Sequence, residues 1–436
     1  MPSQKLFSKL KVFFHKVRRS RFLALWIAGF VLTLCVVVPA LSQQPVTLNF
    51  LIGAPERPTW EPIIRDFEAT HPGIRLNFVE GPNATNAVED LYTSSFLLGS
   101  SPYDLVYMDI VWVPKFAAAG WLTDLSDKVS AADLTDFLEG DVAGGRYQGG
   151  LYRMPVRSDA GMLYYRKDLL DAAGLKPPET FTELMQVSQT LQKSKAVPWG
   201  YVWQGRQYEG AAAMFVEVLA GSGGFWIDPQ TKAVGLDRPE SVQAVQFLLD
   251  TIQTGISPPG VVTYQEEEAR RLFQSGAAAF VRNWPYAWPL ANAEDSPIRG
   301  KIAIKPMVHA PGQESAACQG GWGWGIAKTT RHPKEAWEAV QYLTSLETQR
   351  KVTLSTGYLP SRRSLYNDPE IVRTYDFFPA MLNVLENAAL RPPIAQYAQA
   401  SDVLQRYLSA ALTGQMTPQR AMTAAANETR RLLGTA

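Results

Sequence analysis

Cysteine is almost missing from this chain: it has two, Cys35 and Cys318. Cys35 lies in an N-terminal apolar run, so the region beyond that run holds Cys318 alone. One cysteine makes no internal disulfide, and the fold has to be held by its cores. Histidine is scarce too, with four residues and no metal-ligand spacing among them, which argues against a zinc site. The patterns H-E-x-x-H and G-x-S-x-G and a phosphate-binding glycine loop are all missing. An excess of one charge is missing as well: 42 Lys and Arg against 41 Asp and Glu leave a net +1. No acidic or basic partner is implied. Nucleic acid is not expected as a partner, because the N-terminal region carries the only basic run.

That N-terminal region is itself informative. Lys5, Lys9, Lys11, Lys16, Arg18, Arg19 and Arg21 precede an uncharged apolar run from Phe22 to Leu41. The run ends in Ala40-Leu41-Ser42, a small-x-small pattern. This is the layout of a signal peptide, and cleavage after Ser42 is the expectation. The run also approaches the ~20 residues that span a bilayer, so a retained anchor is the alternative for residues 1–42. Leu34 stands before Cys35 where lipidation needs a small residue. Either way, the chain from about Gln43 onward is expected on the periplasmic or extracytoplasmic side of the membrane. Roughly 390 residues remain there, enough for two domains with full cores.

Aromatics are plentiful in two places. Trp284, Tyr286 and Trp288 crowd into Arg282-Asn283-Trp284-Pro285-Tyr286-Ala287-Trp288. Trp322 and Trp324 alternate with glycine in Gly320-Gly321-Trp322-Gly323-Trp324-Gly325. Large aromatics among Pro and Gly are expected on loops, where they offer flat apolar faces. Sugar rings present flat C–H faces to such surfaces, so a carbohydrate is the first ligand to consider. Local packing under a loop is the bland alternative for each Trp.

The rest alternates strands and helices. Val46–Leu51 reads as a strand, and Thr59 as the cap of a helix with Ile63, Ile64 and Phe67 on its apolar face. His71-Pro72-Gly73 ends that helix. Ile74–Val79 alternates like a strand, a helix is expected near Ala87–Leu98, and Asp104–Met108 forms a third strand. A β-α-β-α-β order implies a parallel sheet with right-handed crossovers, and ligands bind beyond the carboxyl ends of such strands. Glu56, Asp109 and Trp112 fall there, with capping of the next turn as the alternative role for Asp109. Glu266-Glu267-Glu268 reads as a solvated helix start, and Cys318 as a small buried residue. Asn83-Ala84-Thr85 and Asn427-Glu428-Thr429 match a glycosylation pattern that carries little weight in a bacterial envelope.

Several ordered segments carry a family resemblance. They include Trp60–Glu68, Tyr103–Asp109, Phe116–Leu122, Leu163–Leu170, Phe273–Phe280, Trp284, Gly320-Gly321-Trp322 and Gly357–Arg362. Together they resemble the extracellular sugar-binding proteins of ABC importers, solute-binding protein family 1, and in particular its trehalose/maltose-binding branch. The resemblance implies an α/β, two-lobe periplasmic-binding-protein fold of type II, with the sugar in the cleft between discontinuous lobes joined by hinge crossovers. It puts residues 46–155 plus 301–345 in the first lobe and 156–300 plus 346–436 in the second. It implies ligand contacts from the carboxylates of Glu56 and Asp109, from Asp159 of the second lobe, from the rings of Trp284 and Tyr286, from Gly321 and Trp322, and from Arg391. Arg157 stands where relatives often place a Tyr, and Val88 near where some offer a charged residue. The helical tail Asp402–Leu433 is structural in relatives.

The implied function is binding of an α-glucoside and delivery to a permease. Trehalose, maltose, sucrose and a glucosylglycerol-type solute all qualify. The expected partners are the transmembrane permease subunits with their cytoplasmic ATPase, and the expected state is a monomer. No cofactor or metal is expected, and no catalysis. The rival readings are a ligand-sensing subunit of a membrane receptor and a glycoside hydrolase, since two carboxylates flanking a sugar also serve hydrolysis.

Overall fold

The computed structural model describes residues 44–82 and 84–435. The basic and apolar N-terminal region, Cys35, the expected cleavage site after Ser42, and Asn83 lie outside the described residues. Among the described residues, no helix is long and apolar enough to cross a membrane, and no three His, Cys, Asp or Glu side chains cluster to hold a metal.

Strands β1 (Val46–Gly53) and β2 (Ile74–Gly81) pair in parallel, Val46 opposite Ile74 through Gly53 opposite Gly81. The helix between them, Arg57–Thr70, buries Trp60, Ile63, Ile64 and Phe67. Those positions repeat at i, i+3, i+4 and i+7, the stripe that faces a core. The helix begins before Thr59, the expected cap. Pro58 sits in its first turn, where its fixed φ is preorganised and its missing N–H costs nothing.

Strand β3 (Leu105–Asp109) lies beside β1 but does not complete a ladder with it. Tyr92, on the helix Thr85–Leu97, inserts its hydroxyl between the two strands. That hydroxyl donates to the Leu51 carbonyl at 2.8 Å and accepts from the amides of Leu51 at 3.0 Å and Tyr107 at 3.3 Å. A side chain thus replaces part of the expected parallel ladder. The other edge of β3 pairs antiparallel.

The remaining strands are a hairpin, β4 (Arg146–Tyr147) and β5 (Gly150–Leu151), then β6 (Met154–Ala160), β7 (Met162–Arg166), β8 (Trp199–Val202), β9 (Ala278–Asn283), β10 (Ile302–Lys305), β11 (Gln319–Ile326) and β12 (Leu359–Pro360). They form two four-stranded sheets, in the orders β12-β6-β11-β3 and β10-β7-β9-β8. Gly161 alone separates β6 from β7, so the chain passes from the first sheet to the second at one residue. The first core gathers Phe50, Trp60, Phe67, Trp324, Leu343 and Val352. The second sheet buries Met162, Tyr164, Val281, Tyr366 and Phe378. The C-terminal helices Tyr397–Leu412 and Pro418–Leu433 bury Leu404, Leu408 and Met422 in one cluster with Met214, Phe215 and Leu248 of the second lobe.

Two expectations need correction. The lobe boundaries near Val156, Lys301 and Ser345 come too early: Met154–Ala160 pairs with β11 and β12, so Asp159 stands on the first sheet and not in the second lobe. Ile302–Lys305 pairs with β7, so it stays in the second sheet, and the chain returns only at β11. The helix Leu346–Thr356 packs on the first lobe, with Val352 in its core and Lys351 Nζ 3.0 Å from Asp66. Strand partners decide where a crossing falls, and local pattern does not encode partners. The glycine-rich Trp322-Trp324 segment is a strand, not a loop. A Cβ at Gly323 would sit 2.4 Å from the Met154 carbonyl oxygen, and one at Gly325 2.3 Å from Met108 Cε. Glycine serves close packing here.

Tyr92→Phe keeps the ring and deletes the hydroxyl between β1 and β3. It should cost about 1–3 kcal/mol in urea unfolding, since buried backbone groups lose their partner. An unchanged midpoint would show that the two strands close up without it.

Candidate functional site

Strand ends and crossovers deliver the site. Glu56 ends the short turn after β1, and Asp109 ends β3. Asp109 also caps the following turn, its Oδ1 accepting from the Val111 amide at 3.3 Å, the alternative role expected for it. On β11, Trp322 stands opposite Asp109 on one side and Arg157 of β6 on the other. One row across the sheet therefore carries an acid, an indole and a guanidinium.

Arg157 is the first hub. Its Nη1 lies 2.8 Å from Glu56 Oε1 and its Nε 3.2 Å from Asp159 Oδ2. The guanidinium lies 4.1 Å from the Tyr358 ring centroid and 5.5 Å from that of Trp322. The second oxygen of Glu56 accepts from Trp60 Nε1 at 3.3 Å and from the Tyr107 hydroxyl at 3.4 Å. A Tyr at 157 would leave these acids without their cation. Burial pushes the Asp159 carboxyl up to about 7; Arg157 opposes the shift, and Glu56, Asp109 and Asp141 add to it.

Arg391 is the second hub and joins the lobes. Its Nη2 lies 2.9 Å from Asp109 Oδ1 and its Nη1 2.8 Å from Glu209 Oε1. Glu209 also accepts from the hydroxyls of Tyr397 and Ser401, the latter at 2.5 Å, and its amide donates to Asn86 Oδ1 at 3.2 Å. Glu209 was not among the expected residues. Its signal was present: the helix Glu209–Gly221 is apolar on every face apart from Glu209 and Glu217. A helix of that kind is buried, and acids on it need partners.

The aromatic platform is the third element. Trp284 follows β9 and is half-buried; its indole N–H donates to Glu266 Oε1 at 3.3 Å. Glu266 Oε2 accepts from the Tyr208 hydroxyl at 2.7 Å, and Glu267 from the Tyr286 hydroxyl at 2.9 Å. The run starts the helix Glu266–Gln274 as expected, but Glu266 turns to Trp284 and Tyr208 rather than to solvent. The Arg282 guanidinium lies 3.9 Å from the Trp284 ring centroid. A Cβ at Gly320 would stand 3.4 Å from the Trp284 ring and 3.1 Å from Asp159 Cβ, which puts platform and acid side by side.

Gly321 has φ +146, and a Cβ there would be 2.9 Å from the Arg157 carbonyl oxygen. Trp112 does not face the cleft as expected. It is buried and meets Trp322 edge-on at 5.3 Å, bracing the indole from within the core. Trp288 packs locally on Phe377 at 5.0 Å. Val88 is buried, and the neighbouring Glu89 pairs with Lys115 at 2.9 Å. Cys318 is buried as expected, and burial pushes its thiol up to about 12.

Comparison with known proteins agrees with this architecture. The family model for bacterial extracellular solute-binding proteins matches residues 53–350. A probable ABC transporter-binding protein of Deinococcus radiodurans is 34% identical over 85% of this chain and 89% of its own length. The maltose-bound MalE3 of T. maritima is 37% identical, covers 89% of this chain and 100% of its own, and superposes with a TM-score of 0.85. A solute-binding protein from Agrobacterium radiobacter K84 in complex with ribitol is 27% identical, covers 89% and 99%, and has a TM-score of 0.80. With its two α/β lobes in the type II arrangement, the chain belongs to the bacterial extracellular solute-binding protein family.

Proposed function

We propose that the cleft binds an α-glucoside outside the cytoplasmic membrane and presents it to an ABC permease by hinge closure. The observation that carries this is the pairing of half-buried indole faces, Trp284 and Trp322, with the carboxylates of Glu56, Asp109 and Asp159. Rings stack on the C–H face of a sugar, while acids accept from the hydroxyls at its edge. Similarity to a maltose-bound protein at 37% identity supports a glucose unit, and similarity to a ribitol complex keeps a polyol within the class.

In this reading Arg391 and the acids bridge the lobes, so the ligand stabilises the closed state by touching both. Trehalose, maltose, sucrose and a glucosylglycerol-type solute are the candidates. A hydrolase would share the raised pKa of Asp159, but the guanidinium of Arg157 stands between that acid and Glu56, leaving two acids bound to one cation rather than free to attack and protonate.

Thermal-shift measurements on the chain from Gln43 onward test the ligand class. A sugar at ~100 Kd stabilises by about 2.7 kcal/mol. A shift with one or two of the glucosides, lost in Trp284→Ala and Asp109→Ala, is expected, with the sugar recovered intact. A shift with a polyol alone would replace the glucoside, and a shift with amino acids or phosphate alone would sink the carbohydrate assignment.

Affinity should also depend on pH through Asp159. Its ordinary value is raised in the fold, so the carboxyl gains charge as pH rises through about 7. Hydroxyl donors bind the ionised form, which means that ligand binding lowers this value and releases protons. Calorimetric affinity should therefore climb between about pH 6 and pH 8 and level off above. In Asp159→Asn the profile should be flat; an unchanged slope there would assign the titration to another group.

A further inference from the structure

The platform rests on a buried ion pair that the binding site does not use directly. Arg282 and Glu217 are both completely buried, and the guanidinium engages the carboxylate through Nε at 2.7 Å and through Nη2. The guanidinium also lies against Trp284, 3.9 Å from its ring centroid, leaving one indole face for a ligand. Gln204 holds the same residue twice, donating to its carbonyl at 3.0 Å and accepting from its Nη1 at 3.3 Å. The pair reaches two interlobe crossings as well. Glu217 Oε1 accepts from the Cys318 amide at 3.2 Å, immediately before β11. At the β6–β7 crossing, a Cβ on Gly161 would fall 1.7 Å from Glu217 Oε1 and 2.4 Å from Arg282 Nη2. Only glycine admits the pair at that point.

We propose that Arg282 and Glu217 are positioning residues that hold the Trp284 ring at its stacking angle and tie that ring to the crossings at Gly161 and Cys318. The proposal rests on Trp284 being the stacking face for the sugar. A planar guanidinium packs flat against an aromatic ring, and a bidentate carboxylate fixes its plane. A ring held in this way loses little freedom when the ligand arrives. Because Glu217 also holds the Cys318 amide, a shift of the platform on stacking is felt where the chain changes lobe.

The test uses maltose as the probe, with Glu217→Gln, Arg282→Lys and Trp284→Leu. Arg282→Lys keeps the charge beside Glu217 and removes the planar stack, so it remains informative where Glu217→Gln fails to fold. Calorimetry should show about tenfold weaker maltose binding in either pair variant, but less than about twofold when the same change is made in the Trp284→Leu background. A merely structural pair would give the same loss in both backgrounds, which overturns the proposal. Hydrogen exchange at the Cys318 amide supplies a second readout. Maltose should slow it in the wild type but not in Arg282→Lys, which breaks the contact with the Trp284 ring, nor in Glu217→Gln; equal slowing in all three would overturn the link to the crossings. If Trp284→Leu weakens binding while both pair variants bind normally, the positioning role alone fails. If Trp284→Leu itself binds normally, the stacking assignment fails with it.

Discussion

A charge taken out of water must be paired, and that constraint organises this cleft. The guanidiniums of Arg157, Arg282 and Arg391 are among those buried in or under it, each against carboxylates. Removing one partner from such a pair leaves an uncompensated charge and costs about 3–5 kcal/mol, whereas the intact pair adds little net stability. These pairs therefore act less as glue than as rulers. They fix where Glu56, Asp109, Asp159 and Trp284 stand relative to one another before any ligand arrives.

The same constraint links geometry to motion. Arg157 pairs with acids on the first sheet and its margin, whereas Arg391 spans Asp109 of the first lobe and Glu209 of the second. Separating the lobes would strip one carboxylate from Arg391 and part Asn86 from the Glu209 amide. On the proposed hinge closure, water would satisfy those groups in an open form, and the balance between the forms would be a difference of solvation that a bridging ligand shifts. Glycine at 161 and the antiparallel entry of β11 let the chain change lobe between rigid elements without a long linker.

Much of this was legible in the sequence because it is local. The strand β2 alternates, the helix Arg57–Thr70 shows its stripe, and an acid at the end of β3 is placed by sheet geometry alone. The type II fold and the residues Asp159, Gly321 and Arg391 came from the family resemblance rather than from pattern. What stayed hidden depends on long-range partners. Ile302–Lys305 looks like any short strand until β7 claims it. Trp322 and Trp324 look like loop residues until Gly323 and Gly325 are seen to make room for Met154 and Met108. Glu266 reads as a surface acid until Trp284 and Tyr208 donate to it. Glu209 and Glu217 are the instructive omission, since two acids on an otherwise apolar helix already require buried partners.

The arithmetic of donors and acceptors then bears on what the cleft accepts. Glu56, Asp109, Asp159 and Glu209 share the cations Arg157 and Arg391, so acidic charge exceeds basic charge around the platform. Each carboxylate is acceptor-only when ionised and keeps lone pairs that its guanidinium does not use. Such a site favours a ligand rich in hydroxyl donors and repels phosphate or carboxylate groups, which would meet more acids than cations. Burial raises the value of Asp159, and the neighbouring acids Glu56, Asp109 and Asp141 add to the rise; a hydroxyl donating to it favours the ionised form without bringing in a new charge. On the proposed reading, selectivity follows from leaving buried acceptors unmatched by the wrong solute, and the indole faces would decide only which side of the correct one lies down.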